Sequence, residues 1–417
     1  MISAITHFTL GIFNNFTSGE YSVTHKWWLV LMLVFAVHVP AAWPEEPATK
    51  NAWTKKVIWE GGICYTAITA DFTKDGIPDI IADAGKGVTR LFVGPDWKKQ
   101  IIIDDKHLNL GGNNSYITSD VCDLDGDGDA DYIAACFNPG VIVWYEQPER
   151  PLEEPWKRRV IENQLNGVHS VIHGDVDKDG RMDLLATSDQ PKGRFPNSLV
   201  WLSPPAKVQS DQAWQRHILA DRNAPGISHY LALGDFNGDG RPDVVTGAKG
   251  GPTIVEKGTG QWFAWWASPT DPTQEWTKHD LPGNHLGATN ILPGDINGDG
   301  KVDFLATRGH GSGVIWFEAP DWKIHTIDAE IKEPHCLQVE DIDGDGDLDA
   351  VTCAYGSKIC VWYENDGSGR FSRHVVGMNQ EAYDIRVADL DGDGDKDFLV
   401  AGRESNNVVI YLNPKTK

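Results

Sequence analysis

The chain has 417 residues and a formal net charge of −23, and it contains 17 Trp, 43 Gly and 23 Pro. The negative charge excludes a nucleic-acid partner, because phosphate binding needs a basic surface. The many glycines and prolines indicate many turns, and therefore many short strands.

An apolar stretch, Trp27–Val39, lies near the N-terminus between Lys26 and the small residues Ala41 and Ala42. This arrangement is typical of a secretory signal with cleavage near Ala41 or Ala42. The 26 residues before the stretch are long for such a signal. Either the true start lies further along the chain, or the segment is retained as an anchor. Because the stretch is shorter than the about 20 residues that span a membrane, we favour cleavage, export and no membrane span afterwards.

One pattern, Asp-x-Asp/Asn-x-Asp-Gly-x-x-Asp, recurs at intervals of 52, 52, 60, 60, 46 and 48 residues. This spacing is close to the four-strand period of β-propeller blades. Each repeat has a strand before the pattern, a strand after it, a third strand with an aromatic residue and a fourth that opens with one. The seven copies begin at Asp71, Asp123, Asp175, Asp235, Asp295, Asp341 and Asp389.

The seventh repeat stops after its third strand, Val408–Leu412, and its missing fourth strand occurs at the other end as Trp53–Ile58. We therefore predict that residues 1–42 are a targeting segment and that residues 43–417 form an all-β domain. This domain is expected to be a seven-bladed β-propeller of four-stranded antiparallel blades, closed by the N-terminal strand. Closure removes exposed strand edges, which are a liability of sheet proteins.

Oxygen donors at positions 1, 3, 5 and 9 of the pattern, with Gly at position 6, suit Ca²⁺, which takes six to eight hard oxygen ligands. In the first loop Thr73 and Lys74 replace an acidic ligand and a Gly, so we expect that site to be weak or empty. The other six loops predict about six Ca²⁺ sites. Their ligands are Asp123, Asp125, Asp127 and Asp131; Asp175, Asp177, Asp179 and Asp183; Asp235, Asn237, Asp239 and Asp243; Asp295, Asn297, Asp299 and Asp303; Asp341, Asp343, Asp345 and Asp349; and Asp389, Asp391, Asp393 and Asp397.

With these loops the chain resembles the FG-GAP/VCBS calcium-binding repeat family, whose repeats build integrin-type propellers. The resemblance covers about residues 53–414 and implies a fold and a metal. Function varies widely across such proteins, so it has to be argued from the site.

The residue six positions before the first Asp of each pattern begins an inner strand beside the predicted channel. His169, His229, His335, Tyr65 and Tyr383 occupy this position in five repeats. Three imidazoles there can bind a further divalent metal or act as general bases, with the tyrosines as catalytic partners. The alternative is a channel lined by polar residues that only hold water. Histidines at a common outer-strand position are predicted to be structural; they are His217, His279, His325 and His374.

The turns between second and third strands add basic residues to the same face, and a basic rim on an acidic protein attracts an anionic or electron-rich ligand. We predict that Lys249, Arg308, His310 and Arg403 bind ligand. The other members of the rim are Lys86, Lys192, Arg194 and Lys358.

A His at the inner position, as in Glu333–Asp341, also resembles the propeller portion of aldos-2-ulose dehydratases, which eliminate water from ketosugars. The cupin portion that accompanies that propeller has no counterpart in this sequence. Two functions stay open. One is a monomeric, exported, calcium-binding module for an extracellular carbohydrate or small molecule. The other is a carbohydrate lyase or dehydratase that performs β-elimination with His and Tyr.

None of the six cysteines forms a CxxC pair, which excludes a structural zinc site of that type. Cys353 and Cys360 flank a turn at Gly356-Ser357 and are spaced to face each other across a hairpin. In an exported protein a disulfide and two buried free thiols are both compatible with this spacing.

Overall fold

The structure is a computed structural model that describes residues 53–85, 87–106, 115–250 and 260–414. The predicted targeting segment and Lys86 lie outside these residues. Within the described ranges the chain forms 28 strands and no helix, so none of these residues belongs to a helix that could cross a membrane.

The strands form seven four-stranded antiparallel sheets, the blades, and the first strands of neighbouring blades contact one another around a channel. Blade 1 contains β2 (Cys64–Ala70), β3 (Asp79–Ala84), β4 (Thr89–Val93) and β5 (Lys99–Asp104). Blade 2 contains β6 (Thr118–Cys122), β7 (Asp131–Cys136), β8 (Val141–Glu146) and β9 (Lys157–Glu162). Blade 3 contains β10 (Val171–Gly174), β11 (Asp183–Ser188), β12 (Ser198–Ser203) and β13 (Gln215–Ala220).

The remaining blades repeat this order. Blade 4 contains β14 (Ser228–Gly234), β15 (Asp243–Ala248), β16 (Trp262–Ala267) and β17 (Thr277–Asp280). Blade 5 contains β18 (Ile291–Gly294), β19 (Asp303–Thr307), β20 (Ser312–Glu318) and β21 (Lys323–Lys332). Blade 6 contains β22 (Gln338–Glu340), β23 (Asp349–Ala354), β24 (Ile359–Asn365) and β25 (Phe371–Met378). Blade 7 contains β26 (Asp384–Ala388), β27 (Asp397–Gly402), β28 (Asn407–Leu412) and β1 (Thr54–Glu60).

Blade 7 closes the ring as the sequence predicted. Strand β1 pairs antiparallel with β28, from Thr54 opposite Leu412 to Glu60 opposite Asn407. The edge of β28 that would otherwise be exposed is therefore covered by a strand from the other end of the domain. The seven-bladed, all-β prediction is confirmed.

The hydrophobic core is divided into seven clusters, and each lies between two neighbouring blades. At the closing contact, Ile80 and Phe92 of blade 1 pack with Leu399 and Ile410 of blade 7, all of them at most 1% exposed. Burying one such side chain contributes about 1.5–3 kcal/mol. Because every blade shares its core with two neighbours, the ring holds the inner strands in fixed positions around the channel.

Three of the four outer-strand histidines stack on the tryptophans that lie opposite them in the third strands, as their structural assignment predicts. The ring centres of Trp201 and His217 are 4.0 Å apart, and those of Trp265 and His279 are 4.1 Å apart. Trp316 and His325 stack at 4.3 Å. These imidazoles pack the outer strands and lie outside the channel.

Cys353 and Cys360 are direct partners in the antiparallel register of β23 and β24, as their spacing suggested. Both side chains are fully buried, and both are free thiols in the structure. Of the two alternatives for this pair, the structure therefore has buried free thiols.

Candidate functional site

The propeller has two faces with different chemistry. The Asp-rich loops join the first and second strands of each blade, so they all lie on one face, which we name the loop face. The turns between second and third strands and the connections between blades lie on the opposite face, which we name the pocket face.

Each intact loop curls around the carboxylate of its first Asp. In blade 2 the Asp123 carboxylate accepts the N–H groups of Gly126, Asp127 and Gly128 at 2.8, 3.1 and 3.0 Å. Gly126 and Gly128 have φ of 79° and 94°, which a residue without a Cβ adopts at little cost. The turn brings the side chains at alternate positions together. In four loops three carboxylates offer oxygens within 4.8 Å of one another: Asp123, Asp125 and Asp127; Asp175, Asp177 and Asp183; Asp341, Asp343 and Asp349; and Asp389, Asp391 and Asp397.

Except in blade 3, the Asp at position 9 also anchors its loop to the end of the third strand. Asp131 accepts the N–H of Leu124 at 3.1 Å and the N–H of Gln147, just beyond the third strand, at 2.9 Å. Asp349 does the same with Ile342 and Asn365. Burial raises the pKa of both carboxyls to about 7. The position-9 residue is therefore a buried structural anchor as well as a predicted metal ligand.

The loops differ in charge at position 7. Arg181, Arg241 and Lys301 occupy it in blades 3, 4 and 5, and each forms an ion pair with the position-5 carboxylate of its own loop. Blades 2, 6 and 7 have a further Asp there, at Asp129, Asp347 and Asp395. Blades 4 and 5 also have Asn in place of Asp at position 3. The six intact loops thus fall into a more acidic and a less acidic set.

The first loop, which we expected to be weak or empty, contains a cation of its own. Lys74 Nζ lies 3.1 Å from Asp129 Oδ2 of the neighbouring loop, although the two residues are 55 positions apart in the chain. The ammonium group thus links the loops of blades 1 and 2.

Three inner histidines meet at the pocket-face end of the channel. The ring centres of His169 and His229 are 3.9 Å apart, those of His229 and His335 are 5.6 Å apart, and those of His169 and His335 are 6.3 Å apart. One ring nitrogen from each lies within 4.8 Å of the other two. The structure therefore brings together the three histidines that the repeat phase singled out.

A fourth imidazole joins this cluster from a turn of blade 5. His310 Nε2 lies 2.9 Å from His229 Nε2. The sequence placed His310 on the basic rim, whereas the structure brings its ring into contact with the channel histidines. Tyr230, which sequence reasoning missed, also belongs here, because its hydroxyl lies 3.3 Å from His335 Nδ1. Its position next to His229 in the sequence is the only signal that could have found it.

The cluster is buried and uncharged at neutral pH. His169 is 8% exposed, and His229 and His335 are fully buried. Burial, with a smaller contribution from nearby Lys249, lowers the pKa of His169 to about 3. Burial likewise lowers the pKa of His229 and His335 well below the usual value, and that of His310 to about 2. Neutral imidazoles have a free lone pair, so they can accept a proton or bind a metal.

Below the histidines the channel is filled by a polar network. Thr66 Oγ1 donates to Asp384 Oδ2 at 2.9 Å and lies 2.6 Å from Ser119 Oγ. Arg386 forms an ion pair with Asp384 at 3.4 Å and donates to the Ser119 carbonyl at 3.1 Å. These side chains therefore bond to one another across the inner strands of blades 1, 2 and 7.

A pocket of about 240 Å³ opens above the cluster on the pocket face. Tyr65, Phe137 and Tyr383 supply its aromatic wall, and Lys249 and Arg403 supply its positive charge. The Arg403 guanidinium carbon lies 5.2 Å from the ring centre of Tyr65 and 4.8 Å from that of Tyr383. His169 lines the pocket, and the ring of Tyr383 stacks on His335 with the centres 3.4 Å apart. The pocket therefore leads to the imidazole cluster.

The two other predicted ligand residues line a separate groove of about 620 Å³ between blades 5 and 6. Arg308 and His310 belong to it, together with Leu286, Lys332 and Glu333. Arg308 Nη2 lies 3.2 Å from His285 Nδ1. The predicted rim residues are therefore divided between two concavities, and His310 contacts both the groove and the histidine cluster.

The remaining described rim residues lie outside both concavities. Lys358 forms an ion pair with Glu381, and Arg194 is exposed and bonds to Gln164. Lys192 is also exposed. The pocket in addition contains Gln190, which the repeat pattern gave no reason to select.

The fold and these sites define the class: a closed seven-bladed β-propeller with Asp-rich loops on one face and a pocket over the channel on the other. The FG-GAP-like repeat family matches residues 123–186, 235–306 and 341–400. Over these residues the chain has FG-GAP-like repeats, as its motifs predicted. No curated protein matches it.

Solved structures share the fold at low sequence identity. A lectin of Agrocybe aegerita that specifically recognises non-reducing terminal N-acetylglucosamine is 15% identical, with a TM-score of 0.50 over 86% of this chain and 87% of that chain. BBS1N in complex with ARL6DN is 12% identical in a lead-soaked crystal, with a TM-score of 0.55 over 88% of this chain and 99% of that chain. At these identities the likeness shows the fold alone.

Proposed function

We propose that this protein is an exported, calcium-stabilised propeller that binds carbohydrate in the pocket over its channel. The observation that carries the proposal is the pocket itself, in which Tyr65, Tyr383 and Phe137 surround two cations, Lys249 and Arg403. Ligand sites are concave, largely apolar and supplied with a few convergent polar groups. This pocket has that composition.

The dimensions and chemistry of the pocket favour a sugar. Its volume of about 240 Å³ is below the about 300–1,000 Å³ of sites for drug-sized ligands, which suits one sugar ring of a longer chain. Aromatic rings provide apolar area for the C–H faces of a sugar, and their hydroxyls provide hydrogen bonds. The two cations favour an acidic sugar, because Arg binds carboxylates in a bidentate manner. The fold is also that of the lectin described above, so carbohydrate is the first ligand class to test.

Calcium belongs to the proposal because the donor set of the loops fits it. Carboxylate oxygens converge within 4.8 Å in four loops. In the loop of blade 3, Asp175 Oδ1 and Asp183 Oδ1 are buried and have no hydrogen-bond partner in the part of the chain that the structure describes. An unpartnered buried carboxylate oxygen is costly unless a cation is bound. Residues of the six intact loops would hold the ions, far from the pocket face.

Isothermal titration with neutral and uronate-containing oligosaccharides tests the proposed binding. We expect Lys249→Ala and Arg403→Ala each to weaken the binding of an acidic ligand by about 10-fold to 100-fold, because a hydrogen bond to a charged group contributes about 1.5–3 kcal/mol. Lys358→Ala is the matched control, since Lys358 is on the same face but is paired with Glu381. Equal affinities in all three variants would contradict a site in this pocket.

Carbohydrate β-elimination is the second candidate, and one observation favours it. His169 lines the pocket, and its buried Nδ1 has no hydrogen-bond partner among the residues that the structure describes. As a neutral imidazole it can accept the proton next to a sugar carbonyl or carboxylate, but its pKa of about 3 makes it a weak base, which ranks this candidate second. The same oligosaccharides, followed by the ultraviolet absorbance of an unsaturated product, distinguish the two candidates. Binding without product supports the module, and product formation that is lost in His169→Gln supports the lyase.

A further inference from the structure

The inner histidines carry chemistry that is distinct from that of the calcium loops. We infer that His169, His229 and His335 form a binding site for one divalent cation of the imidazole-preferring class, with Zn²⁺ as the reference ion. This inference does not depend on the carbohydrate proposal, because it concerns the side chains beneath the pocket.

The first argument is convergence. Each of the three residues offers a ring nitrogen within 4.8 Å of the other two. Ligand atoms of a tetrahedral zinc at 2.0–2.1 Å are about 3.3 Å apart. Small rotations of the rings therefore bring the three nitrogens to coordination distance. The three lie in blades 3, 4 and 6, in or just before the first strand of each blade, so their approach is set by the closed ring.

The second argument is orientation by backbone carbonyls. His229 Nδ1 donates to the Ile227 carbonyl at 3.0 Å, and His335 Nδ1 donates to the Tyr383 carbonyl at 3.1 Å. In each ring this bond fixes the proton on Nδ1 and leaves the lone pair on Nε2. Such a bond is the usual support of a metal-binding histidine, because it sets both the tautomer and the orientation of the ring.

The third argument is the absence of partners at two of the three nitrogens that would bind. His335 Nε2 and His169 Nδ1 are buried and have no hydrogen-bond partner among the described residues. Leaving a buried polar atom unpaired costs about 1–3 kcal/mol. One cation bound between the two rings would give both His335 Nε2 and His169 Nδ1 a partner. Channel residues that only held one another would be expected to be paired, as Thr66 and Asp384 are further along the channel.

The donor set also defines the class of metal. Imidazole nitrogens suit Zn²⁺, Co²⁺, Ni²⁺ and Cu²⁺, whereas Ca²⁺ takes hard oxygen ligands. No carboxylate belongs to the group of three. The protein thus separates two metal chemistries, with oxygen donors on the loop face and nitrogen donors in the channel.

Three protein ligands leave a coordination position for another group, as catalytic zinc sites do. His310 Nε2, at 2.9 Å from His229 Nε2, is next to the cluster but outside the group of three. His169 lines the pocket, so a cation here would lie at the pocket floor. An oxygen of a bound ligand could then complete its coordination.

The test uses the full chain with its calcium loops saturated by excess Ca²⁺, so that added metal reports on the histidines. Zn²⁺ is titrated calorimetrically, and Co²⁺ is added for its visible absorption spectrum, which reports nitrogen coordination. We expect one strong site per chain. We expect His335→Gln and His169→Gln to weaken Zn²⁺ binding by at least about 100-fold, the upper end of what loss of a supporting residue costs.

His279→Gln is the matched control, because it removes an imidazole that only stacks on Trp265. This variant should bind Zn²⁺ as tightly as the original chain does. Its melting temperature in Ca²⁺ should also be unchanged, which shows that it is folded. His169→Gln is included in case His335→Gln does not fold. It leaves the bonds of His229 and His335 to the backbone in place, so we expect it to keep the fold. The inference is overturned if the original chain gives no Co²⁺ spectrum in excess Ca²⁺. It is equally overturned if a folded His335→Gln or His169→Gln variant binds Zn²⁺ as tightly as His279→Gln.

Discussion

Removing calcium should lower the stability of the propeller. Without a cation, each intact loop holds three or more carboxylate or amide oxygens close together, as at Asp341, Asp343 and Asp349. The repulsion among them is present in the folded state and relieved on unfolding. A ligand that binds only the folded state stabilises it by RT ln(1 + [L]/Kd).

The magnitude follows from the number of loops. At about 2 mM Ca²⁺, a site with Kd of about 0.1–1 mM contributes about 0.6–1.8 kcal/mol. Six such loops contribute about 4–11 kcal/mol in total. The domain has about 360 residues from Trp53 to Pro414, so its unfolding entropy is about 0.8 kcal/mol per kelvin. Chelation should therefore lower the melting temperature by about 5–14 °C.

Differential scanning calorimetry in Ca²⁺, in chelator and after Ca²⁺ is restored measures this shift. A chelator removes transition metals as well as Ca²⁺. Restoring Ca²⁺ alone therefore shows how much of the change in melting temperature comes from the Asp-rich loops and how much from the histidine cluster. Mg²⁺ should restore less stability, since it demands a near-octahedral geometry and dehydrates reluctantly. A melting temperature that chelator leaves within about 1 °C of the value in Ca²⁺ would refute the reasoning, which requires a larger change.

Three further predictions concern the ring and its loops. Deleting Thr54–Glu60 should leave β28 as a bare edge and cause aggregation, which size-exclusion chromatography with light scattering detects. A soluble product with the elution volume and melting curve of the intact chain would count against closure by β1. In the calcium-free chain, burial raises the pKa of Asp131, Asp183 and Asp349 to about 7, far above the about 3.9 of an unfolded Asp. The folded state then holds more protons than the unfolded state between about pH 4 and pH 7, so the free energy of unfolding should fall as pH rises through this window. Melting of the metal-stripped chain at pH 5 and pH 7.5 checks this, and a lower melting temperature at pH 5 would contradict it. Calcium titration should show a tighter class of sites in blades 2, 6 and 7 than in blades 4 and 5, and Arg241→Ala should tighten the site in blade 4, because Arg241 pairs with the Asp239 carboxylate; a single class that this variant leaves unchanged would contradict the grouping.

Much of the architecture could be predicted from the sequence because a propeller repeats one local unit. The seven Asp patterns fixed the number of blades, and Trp53–Ile58 supplied the strand that the last blade lacked. Both depend on strand periodicity and turn chemistry, which are local properties of the chain. His169, His229 and His335 occupy the same position in their repeats. Residues at the same position of the repeat lie at the same height in a closed ring, so the sequence predicted that these three would be near one another.

The details of the site depended on the tertiary structure. His310 is 81 positions from His229, yet their Nε2 atoms lie 2.9 Å apart. Lys74 reaches Asp129 of the next blade, and Arg308 lies in a groove separate from that of Arg403. Such contacts depend on the path of each turn over the pocket face or the loop face and on the direction of each side chain. Neither property repeats from blade to blade, so a repeat pattern in the sequence does not predict it. The repeat therefore determined where each residue lies along its blade, whereas only the closed ring decided which side chains of different blades meet, because those neighbours are set by packing across the channel.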